Sequence, residues 1–376
     1  MKTNFDTVLS PSELNRYARH ISLPELGATG QLKLKNAKVL VIGCGGLGAP
    51  LLQYLSAAGV GTIGIMDNDT VDESNLQRQV LFTQSDIGKH KVESAKRVLS
   101  AQNPYIKLIE HTCFITSENA LNIIEQYDIV ADGSDNFATR YLVNDACVLL
   151  NKPLVYGSIH QFEGQVSVFN QPTNKGKRSP NYRDIFPTPP PADNVPNCAE
   201  GGVLGVLPGI IGSMQASEVI KLITGIGETL HGRMFHFDAK MFTSFTLNFE
   251  ADKNNPLTGE NPTQTGLIDY ETFCGVTTVP NTILSISTTE LKEWMHKEKD
   301  FELIDVREEA EYNERNLGGK LIPLAEIENR LNEIDFSKTV VVHCRSGARS
   351  QKAIDIIQSL HPTNNIYNLA GGILAF

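Results

Sequence analysis

The segment KVLVIGCGGLG, residues 38–48, constrains the fold more than any other part of this chain. Its apolar beginning predicts a buried strand, its glycines predict a tight turn, and the apolar run APLLQYLSAAG that follows predicts a helix. A second strand-like run, TIGIMD, ends at Asp67. A strand, a glycine turn, a helix and a parallel strand form the unit that opens a doubly wound sheet.

The rest of the chain predicts an α/β fold in two units. Strand-like runs such as IKLIE, DIVADG and PLVYGSI alternate with helical patterns, so we expect a Rossmann-like doubly wound sheet with helices on both faces over residues 1–250. Residues 251–280, which include NNPLTGENPTQTG, are rich in turn-forming residues and predict a linker. The strand-like runs FELIDV and TVVVHC predict a second, small α/β unit over residues 281–376.

The glycine turn predicts a nucleotide site. Gly43, Gly45 and Gly48 have the spacing G-x-G-x-x-G, and Gly46 lies in the same turn. Glycines let the backbone approach phosphate oxygens, whose charge is favoured at a helix N-terminus. A carboxylate such as Asp67, at the end of the next strand, can hold a ribose hydroxyl. The alternative is that the glycines serve only the packing of the helix on the strand.

The residues that follow this unit favour a triphosphate over a dinucleotide. Arginine and lysine neutralise phosphate oxygens, and a carboxylate can hold Mg²⁺, so a set of such residues suits ATP bound with Mg²⁺. The set comprises Ser74, Asn75, Arg78, Lys91 and Asp135. Taken singly, Arg78 could belong to a surface salt bridge and Lys91 to a solvated helix face. Together, on a Rossmann-like frame, they favour ATP chemistry.

The residues around Cys344 predict a reactive thiol in the second unit. Cys344 ends the apolar run TVVVHC and precedes a helical segment, and a thiol placed before a helix and beside arginines has a lowered pKa. Backbone N–H groups in such a loop can hold an anionic sulfur. The loop consists of Cys344, Arg345, Ser346, Gly347, Ala348 and Arg349. The alternative is a buried, inert cysteine, which requires neither the two arginines nor the glycine.

Charge and cysteine content exclude several classes of protein. The net charge is −10 and no segment is strongly basic, so neither nucleic acid nor an anionic membrane is an expected partner. The N-terminus has no apolar signal core, and no apolar run reaches the roughly 18 residues of a membrane span. We therefore expect a cytoplasmic protein with reduced thiols. The six cysteines form no C-x-x-C pair, which predicts that no zinc is bound.

Seven motifs of the first unit together point to one protein family. They are RYARHISLPELG, VIGCGGLGAP, DNDTVDESNLQRQ, KVESA, DGSDNFATR, EGQVSVF and GVLPGIIGSMQASEVIKLITG. They resemble the MoeB/ThiF/HesA family, which contains bacterial relatives of ubiquitin-activating enzymes. The resemblance implies a homodimer that binds ATP and Mg²⁺. It also implies adenylation of the C-terminal glycine of a ubiquitin-like sulfur carrier of the MoaD or ThiS type, which ends in Gly-Gly.

The resemblance also implies roles for individual residues. Asp67 matches the ribose ligand, and Asp135 matches the aspartate that binds magnesium. The phosphate-binding run is matched by Ser74, Asn75, Arg78 and the neighbouring Lys91. Arg19, in RYARH, matches the arginine that reaches ATP from the partner subunit, although from the sequence alone it would pass for a surface residue. Many members bind a structural zinc through two C-x-x-C pairs. Here the corresponding places, at residues 181–184 and near residues 256–262, have no cysteine.

The second unit resembles a single rhodanese domain through CRSGARS, LIDVREEAEY and NLAGGILA. This resemblance implies a persulfide on Cys344, with Arg345 and Arg349 steadying its charge. It also implies a cysteine desulfurase, or another sulfur donor, as a partner. Cys198, in PNCAEGG, matches a cysteine that in fused relatives is proposed to attack the carrier or to release its sulfur. A loop cysteine without a role is the alternative.

These expectations combine into one function. ATP adenylates the carrier, the persulfide of Cys344 expels AMP, and a thiol then releases a thiocarboxylate for molybdopterin or thiamine biosynthesis. Two alternatives remain open at this point. One is an NAD-binding oxidoreductase fused to a redox domain. The other is a non-catalytic module that only docks a ubiquitin-like protein.

Overall fold

The protein, described by a computed structural model, divides into two compact units with their boundary between residues 276 and 277. The structure describes residues 8–173, 176–190, 202–274, 284–297, 299–361, 363 and 365–376. In the described residues, each unit has a sheet covered by helices, so the predicted α/β fold is confirmed.

The sheet of the first unit has the strand order β3-β2-β1-β4-β5-β6-β7-β8 in the described residues. Its strands are β1 (Lys38–Ile42), β2 (Thr62–Met66), β3 (Lys107–His111), β4 (Ile129–Asp132), β5 (Leu154–His160), β6 (Glu163–Phe169), β7 (Arg233–Asp238) and β8 (Thr243–Asn248). Strands β1 to β5 pair in parallel, and β6 to β8 pair antiparallel. The strand order reverses between β1 and β4, which is the switch point where doubly wound sheets bind ligands.

Helices cover both faces of this sheet. The α-helices described are Pro11–Arg16, Ala18–Ile21, Gly27–Asn36, Gly48–Ala58, Lys91–Gln102, Ala120–Ile124, Phe137–Leu149, Leu207–Thr224 and Tyr270–Phe273. Short 3₁₀ turns span Glu73–Asn75, Gln84–Asp86 and Tyr182–Asp184. Alternate residues of β1 enter different cores: Val39 and Val41 belong to one, Leu40 and Ile42 to the other. Burial on both sides explains the continuous apolar run of this strand.

The glycine turn after β1 is fixed by close backbone contacts. Gly43 has φ +87°, and a Cβ added there would lie 2.9 Å from the carbonyl oxygen of Gly133 after β4. A Cβ on Gly48 would lie 1.8 Å from the carbonyl oxygen of Gly43. Both positions therefore exclude side chains, and they bring the ends of β1 and β4 together with the start of helix Gly48–Ala58.

Residues 251–274 differ from the expectation of a linker, because they pack on the first unit. The backbone N–H of Asp252 donates to Asp184 Oδ1 at 2.9 Å, and the hydroxyl of Ser117 donates to the carbonyl of Ile268 at 2.7 Å. Helix Tyr270–Phe273 ends the segment. Asparagine, proline and glycine form tight turns held by side-chain hydrogen bonds as readily as they form linkers. Residues 275–280 of the expected linker lie outside the described residues.

The sheet of the second unit is parallel and has the order β11-β10-β12-β13-β9 in the described residues. Its strands are β9 (Leu284–Ile286), β10 (Phe301–Asp305), β11 (Lys320–Leu321), β12 (Thr339–His343) and β13 (Ile366–Leu369). Its α-helices are Thr288–His296, Glu309–Glu314, Ala348–Leu360 and Gly372–Ala375, with 3₁₀ segments Leu324–Glu326 and Glu328–Glu333. Val340 and Val342 pack on one side of β12 and Val341 on the other.

Candidate active sites

The first candidate site is a cavity of about 420 Å³ at the carboxyl ends of β1, β2 and β4. This volume lies in the usual range for small-molecule sites. Eight of the ten predicted nucleotide-binding residues line it. They are Gly43, Gly45, Gly46, Asp67, Asn75, Arg78, Lys91 and Asp135. The structure thus brings together segments that are far apart in the chain, while the individual roles of these residues remain predictions.

Gly48 and Ser74 are the two predicted residues outside the lining, and each shapes the site indirectly. The absence of a side chain at Gly48 lets the glycine turn close on itself. Ser74 lies in the 3₁₀ turn Glu73–Asn75, and its carbonyl accepts a hydrogen bond from Arg78 Nη1 at 3.1 Å. Ser74 therefore helps to orient the Arg78 side chain through its backbone.

Asp67 ties the glycine turn to the end of β2. Its Oδ2 accepts the backbone N–H of Cys44 at 2.7 Å, and its Oδ1 accepts that of Asp69 at 2.8 Å. Burial raises the pKa of Asp67, while the nearby Lys91, 4.0 Å away, lowers it. A carboxylate has further lone pairs beyond these two bonds, so Asp67 can still accept a ribose hydroxyl.

The two predicted cations of the cavity differ in their partners. Lys91 is buried, and its Nζ lies 2.7 Å from Asp69 Oδ2. Arg78 takes part in no ion pair among the described residues. Of these two cations, Arg78 is therefore the one whose positive charge is not compensated by a carboxylate of the described part of the chain. Its charge is available to phosphate oxygens.

Asp132 ends β4 and Asp135 follows it, and of the two only Asp135 is exposed and lines the cavity. Asp132 is 1% exposed and accepts the backbone N–H of Ser134 at 2.8 Å, and burial raises its pKa. Asp135 is exposed and lines the cavity. The described residues contain no group of three or more acidic, histidine or cysteine side chains that could hold a metal. Mg²⁺ is usually held by one or two carboxylates together with phosphate oxygens and water, so a single aspartate fits it.

Several lining residues were not predicted from the sequence. Arg140 is 7% exposed and lies in the same motif as Asp135, DGSDNFATR. That shared motif could have been used to predict Arg140 as a residue of the site. Gln79 follows Arg78 directly and is 3% exposed. An apolar wall is also present, formed by Ile42, Met66, Phe114, Ile115, Ile159 and Val203. Ile42 and Met66 end the predicted strands β1 and β2, but the other four residues come from segments that no motif linked to the nucleotide site, so sequence reasoning missed the wall.

Arg19 and Cys198 stand apart from this cavity. Arg19 lies in helix Ala18–Ile21, is exposed and is not among the lining residues of its own chain. The predicted role of Arg19 at a partner's site is consistent with this position but not tested by it. Cys198 lies outside the described residues.

The second candidate site surrounds Cys344, directly after β12. The backbone N–H of Gly347 points at Cys344 Sγ from 3.1 Å. Gly347 has φ +103°, a conformation that side chains disfavour, and it stands directly before helix Ala348–Leu360. Burial alone would raise the pKa of Cys344, but hydrogen bonds from the Ser350 hydroxyl and from backbone N–H groups of the loop lower it. The predicted lowered pKa is thus reproduced by the geometry.

Ser350 and Asn368 support the sulfur and were not predicted. Ser350 is fully buried, with its Oγ 3.4 Å from Cys344 Sγ and 2.7 Å from Asn368 Oδ1. Asn368 in turn donates to the carbonyl of Gly347 at 3.1 Å. One hydroxyl proton serves one acceptor at a time, so Ser350 can donate to Asn368 while the sulfur is a thiol and to the sulfur once it is anionic. Ser350 lies in the motif CRSGARS and Asn368 in the motif NLAGGILA.

We expect Ser350→Ala to slow persulfide formation on Cys344 about fivefold at pH values below the pKa of the thiol, because about 1 kcal/mol of hydrogen bonding to the anion is lost. The pKa of the thiol rises, so the rate falls off at a higher pH than in the unmodified protein. The pH dependence of persulfide formation measures this shift. Ser337→Ala, which removes the hydroxyl of an exposed serine bonded to Asp335, should leave the profile unchanged. An unchanged Ser350→Ala profile would rule the donor role out.

The two predicted arginines of the loop also differ. Arg345 is exposed and takes part in no ion pair among the described residues. Arg349 is held by Glu311 through two hydrogen bonds of 2.7 Å each. The expectation that both arginines are available to the sulfur therefore fits Arg345 better than Arg349.

None of the described helices is long and apolar enough to cross a membrane.

Comparison with known proteins assigns both units. The model of the ThiF family matches residues 17–258, and the model of the rhodanese-like domain matches residues 287–376. A protein of Mycobacterium tuberculosis, named probable adenylyltransferase/sulfurtransferase MoeZ, is 45% identical over 98% of this chain and 94% of its own length. A sulfur carrier protein adenylyltransferase of Thermus thermophilus is 51% identical over 70% of this chain and 97% of its own length.

A solved structure of a protein with ATP is also similar to this chain. The crystal structure of Escherichia coli MccB with ATP has a TM-score of 0.57 and 25% sequence identity to this chain. The match covers 67% of this chain and 75% of the MccB chain. The similarity in fold therefore extends to a protein that has been crystallised with the nucleotide predicted here.

Proposed function

From the finding that this chain belongs to the ThiF family and carries a rhodanese-like domain, we propose that its two sites act in sequence on one ubiquitin-like sulfur carrier. The chain is an adenylyltransferase with a sulfurtransferase domain, as its relatives over nearly the full length are. This enzyme class excludes both alternative hypotheses, the NAD-binding oxidoreductase and the non-catalytic docking module. We further propose that the carrier ends in Gly-Gly, that the metal is Mg²⁺ and that a separate protein donates the sulfur.

In the first step the terminal carboxylate of the carrier attacks the α-phosphorus of ATP. The bond to the bridging oxygen breaks, pyrophosphate leaves, and an acyl adenylate remains. The observation that carries this step is the cavity at the switch point. There Arg78 has no ion pair among the described residues, and Lys91, Asp67 and Asp135 face the same space. Catalysis of this kind rests on positioning and on neutralising phosphate charge.

A magnesium ion fits the residues present. Asp135 offers an exposed carboxylate on the wall of the cavity, three residues after the end of β4. When bound, the ion would add positive charge beside the phosphate oxygens. Arg78 and Lys91 hold the phosphates and Asp67 orients the ribose, whether or not the ion is present.

In the second step the terminal sulfur of the Cys344 persulfide attacks the acyl carbon and AMP leaves with the bonding electrons. The product is an acyl disulfide between the carrier and Cys344. A thiol, for which Cys198 is the candidate, then attacks Cys344 Sγ and releases the carrier thiocarboxylate. The new disulfide must be reduced by a cellular thiol before the next round. The support is the loop around Cys344, whose donors lower the pKa of the thiol.

The experiment that tests the first step is exchange of labelled pyrophosphate into ATP in the presence of small proteins that end in Gly-Gly. Exchange that depends on the Gly-Gly terminus supports the proposal, and a chain that binds ATP without any exchange contradicts it. Molybdopterin and thiamine biosynthesis are the proposed destinations of the thiocarboxylate, with a cysteine desulfurase as the proposed donor. A cytoplasmic location remains a prediction.

No zinc is part of the proposal, because side-chain hydrogen bonds join the places where many family members have cysteine pairs. Asp184 accepts the backbone N–H groups of Asn181 at 2.6 Å and Asp252 at 2.9 Å, and the Asn255 amide at 2.6 Å. The Asn181 amide donates to Thr258 Oγ1 at 3.1 Å. These bonds connect the turn at residues 181–184 to residues 252–258, and they support the proposal that no zinc is needed there.

A homodimer in which Arg19 acts on the partner's ATP is also proposed. Arg19 is exposed and does not line the cavity of its own chain, and exposed apolar side chains occur in other segments of the same unit. These side chains are Leu14, Leu23 and Tyr54, which are 44%, 49% and 57% exposed. Apolar groups of this kind are commonly covered in symmetric dimers.

Mixed dimers test the role of Arg19. Arg19→Ala and Lys91→Ala should each be inactive in adenylation when pure. A dimer of one Arg19→Ala and one Lys91→Ala subunit contains one site with both residues intact, so we expect about half of the normal activity per dimer. Pyrophosphate exchange by co-expressed, differently tagged subunits measures it. Inactive mixed dimers would contradict a role across the subunit boundary.

A further inference from the structure

The ion pair between Glu311 and Arg349 changes the charge that a sulfur donor meets at Cys344. Arg349 Nη1 lies 2.7 Å from Glu311 Oε2, and Nη2 lies 2.7 Å from Oε1, a two-point contact of matched geometry. Both side chains are about one-third exposed. The contact with Arg349 lowers the pKa of Glu311 to about 2, so this carboxylate is charged at every pH at which the thiol reacts.

The other charged groups around the loop are also largely paired. Arg307 is 4% exposed and forms a buried ion pair with Asp305, with Nη2 and Oδ2 2.6 Å apart. His343 is fully buried beside Asp305, and burial lowers its pKa, so it adds no charge near pH 7. Among the described residues this leaves Arg345 as the loop cation without an ion pair. Residues 344–349, taken with Glu311, therefore present about one net positive charge rather than the two that the sequence suggests, and the negative charge of Glu308, which also acts on Arg349, lowers it further.

We propose that Glu311 sets the charge at the Cys344 loop and thereby favours a persulfide presented by a protein over a small dianionic sulfur donor such as thiosulfate. The proposal rests on the proposed role of Cys344 as the residue that carries the sulfur. A protein persulfide bears at most one negative charge, whereas thiosulfate bears two. Attraction to the loop scales with the product of the charges, so halving the loop charge weakens the binding of the dianion most.

The chemistry of loading is the same for both donors. The Cys344 thiolate attacks the outer sulfur of the donor, and a new S–S bond forms on Cys344. The S–S bond of the donor breaks, and its electron pair leaves on sulfite or on the donor protein's thiolate. No further oxidant or reductant is required. Glu311 touches neither sulfur and acts through Arg349, so it is a positioning residue that determines specificity.

Glu311→Gln in the full-length protein tests the proposal. The variant keeps the shape of the side chain and removes its charge, which leaves Arg349 unpaired. We expect the second-order rate of sulfite release from thiosulfate to rise about tenfold at low salt, and loading from a persulfidated cysteine desulfurase to rise no more than about threefold. The gain with thiosulfate should shrink as sodium chloride is added, because salt screens the added charge.

Glu314→Gln is the matched control, since Glu314 lies in the same helix, is exposed and takes part in no ion pair among the described residues. It should leave both rates unchanged, and Glu311→Asp should keep the slow thiosulfate rate. Melting temperatures verify that each variant is folded. An unchanged thiosulfate rate in Glu311→Gln, or an equal gain with both donors, would overturn the proposal.

Failure of this inference is distinguishable from failure of the proposed function. Sulfite release requires neither ATP nor the carrier, so the effect of Glu311 can be measured even if adenylation is never observed. Conversely, a failure of the desulfurase to load Cys344 in the unmodified protein would count against the proposed donor. The rates of sulfite release from thiosulfate would still decide whether Glu311 controls the charge at the loop.

Discussion

Arg78→Ala is expected to lower the rate of adenylate formation by about 10³-fold while leaving the loading of sulfur onto Cys344 unchanged. Arg78 lies on the wall of the cavity and takes part in no ion pair among the described residues, so its charge is available to phosphate oxygens. Lys91 alone cannot replace it, because Asp69 and Asp67 compensate part of the charge of that lysine. Carrier-dependent exchange of pyrophosphate into ATP measures the first rate, and persulfide on Cys344 measures the second.

Lys96→Ala is the matched control for the loss of a cation. Lys96 lies in helix Lys91–Gln102, is 45% exposed and pairs with Glu110 at 3.0 Å on the surface. Surface pairs of this kind contribute little, so we expect near-normal exchange. Two results would count against the assigned role of Arg78: an exchange rate in Arg78→Ala within a fewfold of normal, or equal losses of exchange and sulfur loading.

Cys344→Ser should abolish formation of the thiocarboxylate while exchange of pyrophosphate into ATP stays normal. A serine hydroxyl cannot carry a persulfide, and its much higher pKa removes the nucleophile that the loop donors stabilise. The carrier adenylate should then accumulate or hydrolyse. Mass spectrometry of the carrier distinguishes its carboxylate, adenylate and thiocarboxylate forms.

Cys198→Ser separates the two sulfur steps. If Cys198 releases the product, this variant should load persulfide on Cys344 and form AMP, yet remain as an acyl disulfide with the carrier. Full thiocarboxylate yield from Cys344→Ser with a persulfide donor would refute the relay through this residue. Full yield from Cys198→Ser would reassign only the last step to another thiol.

Local sequence patterns predicted the fold and most of the nucleotide site, because burial of a strand and the conformation of a glycine turn depend on residues that are close together in the chain. The apolar run of β1 requires burial on both faces, and the glycines after it fit a turn in which added side chains would collide with backbone. Since β1 and β4 are neighbours in a parallel sheet, the residues after them, Gly43 and Asp135, share one cavity. Sequence order along such a sheet thus fixes which loops meet.

Pairing between distant side chains could not be predicted in this way. The sequence places Arg349 in the sulfur loop but does not indicate that Glu311, 38 residues earlier, neutralises it. The apolar wall around Phe114 and Ile159 is likewise assembled only by the tertiary fold. Residues 251–274 have the composition of a linker, and only their hydrogen bonds to Asp184 and Asp145 reveal that they are part of the first unit.

The most direct test of the central claim is a single-turnover reaction of the full-length chain, loaded with persulfide, with a candidate carrier, ATP and Mg²⁺. If the cavity around Arg78 activates a C-terminal carboxylate, one pyrophosphate and one AMP should appear for each carrier thiocarboxylate formed. A chain that leaves ATP intact with every small Gly-Gly-ending protein of its cell would contradict the proposed activity.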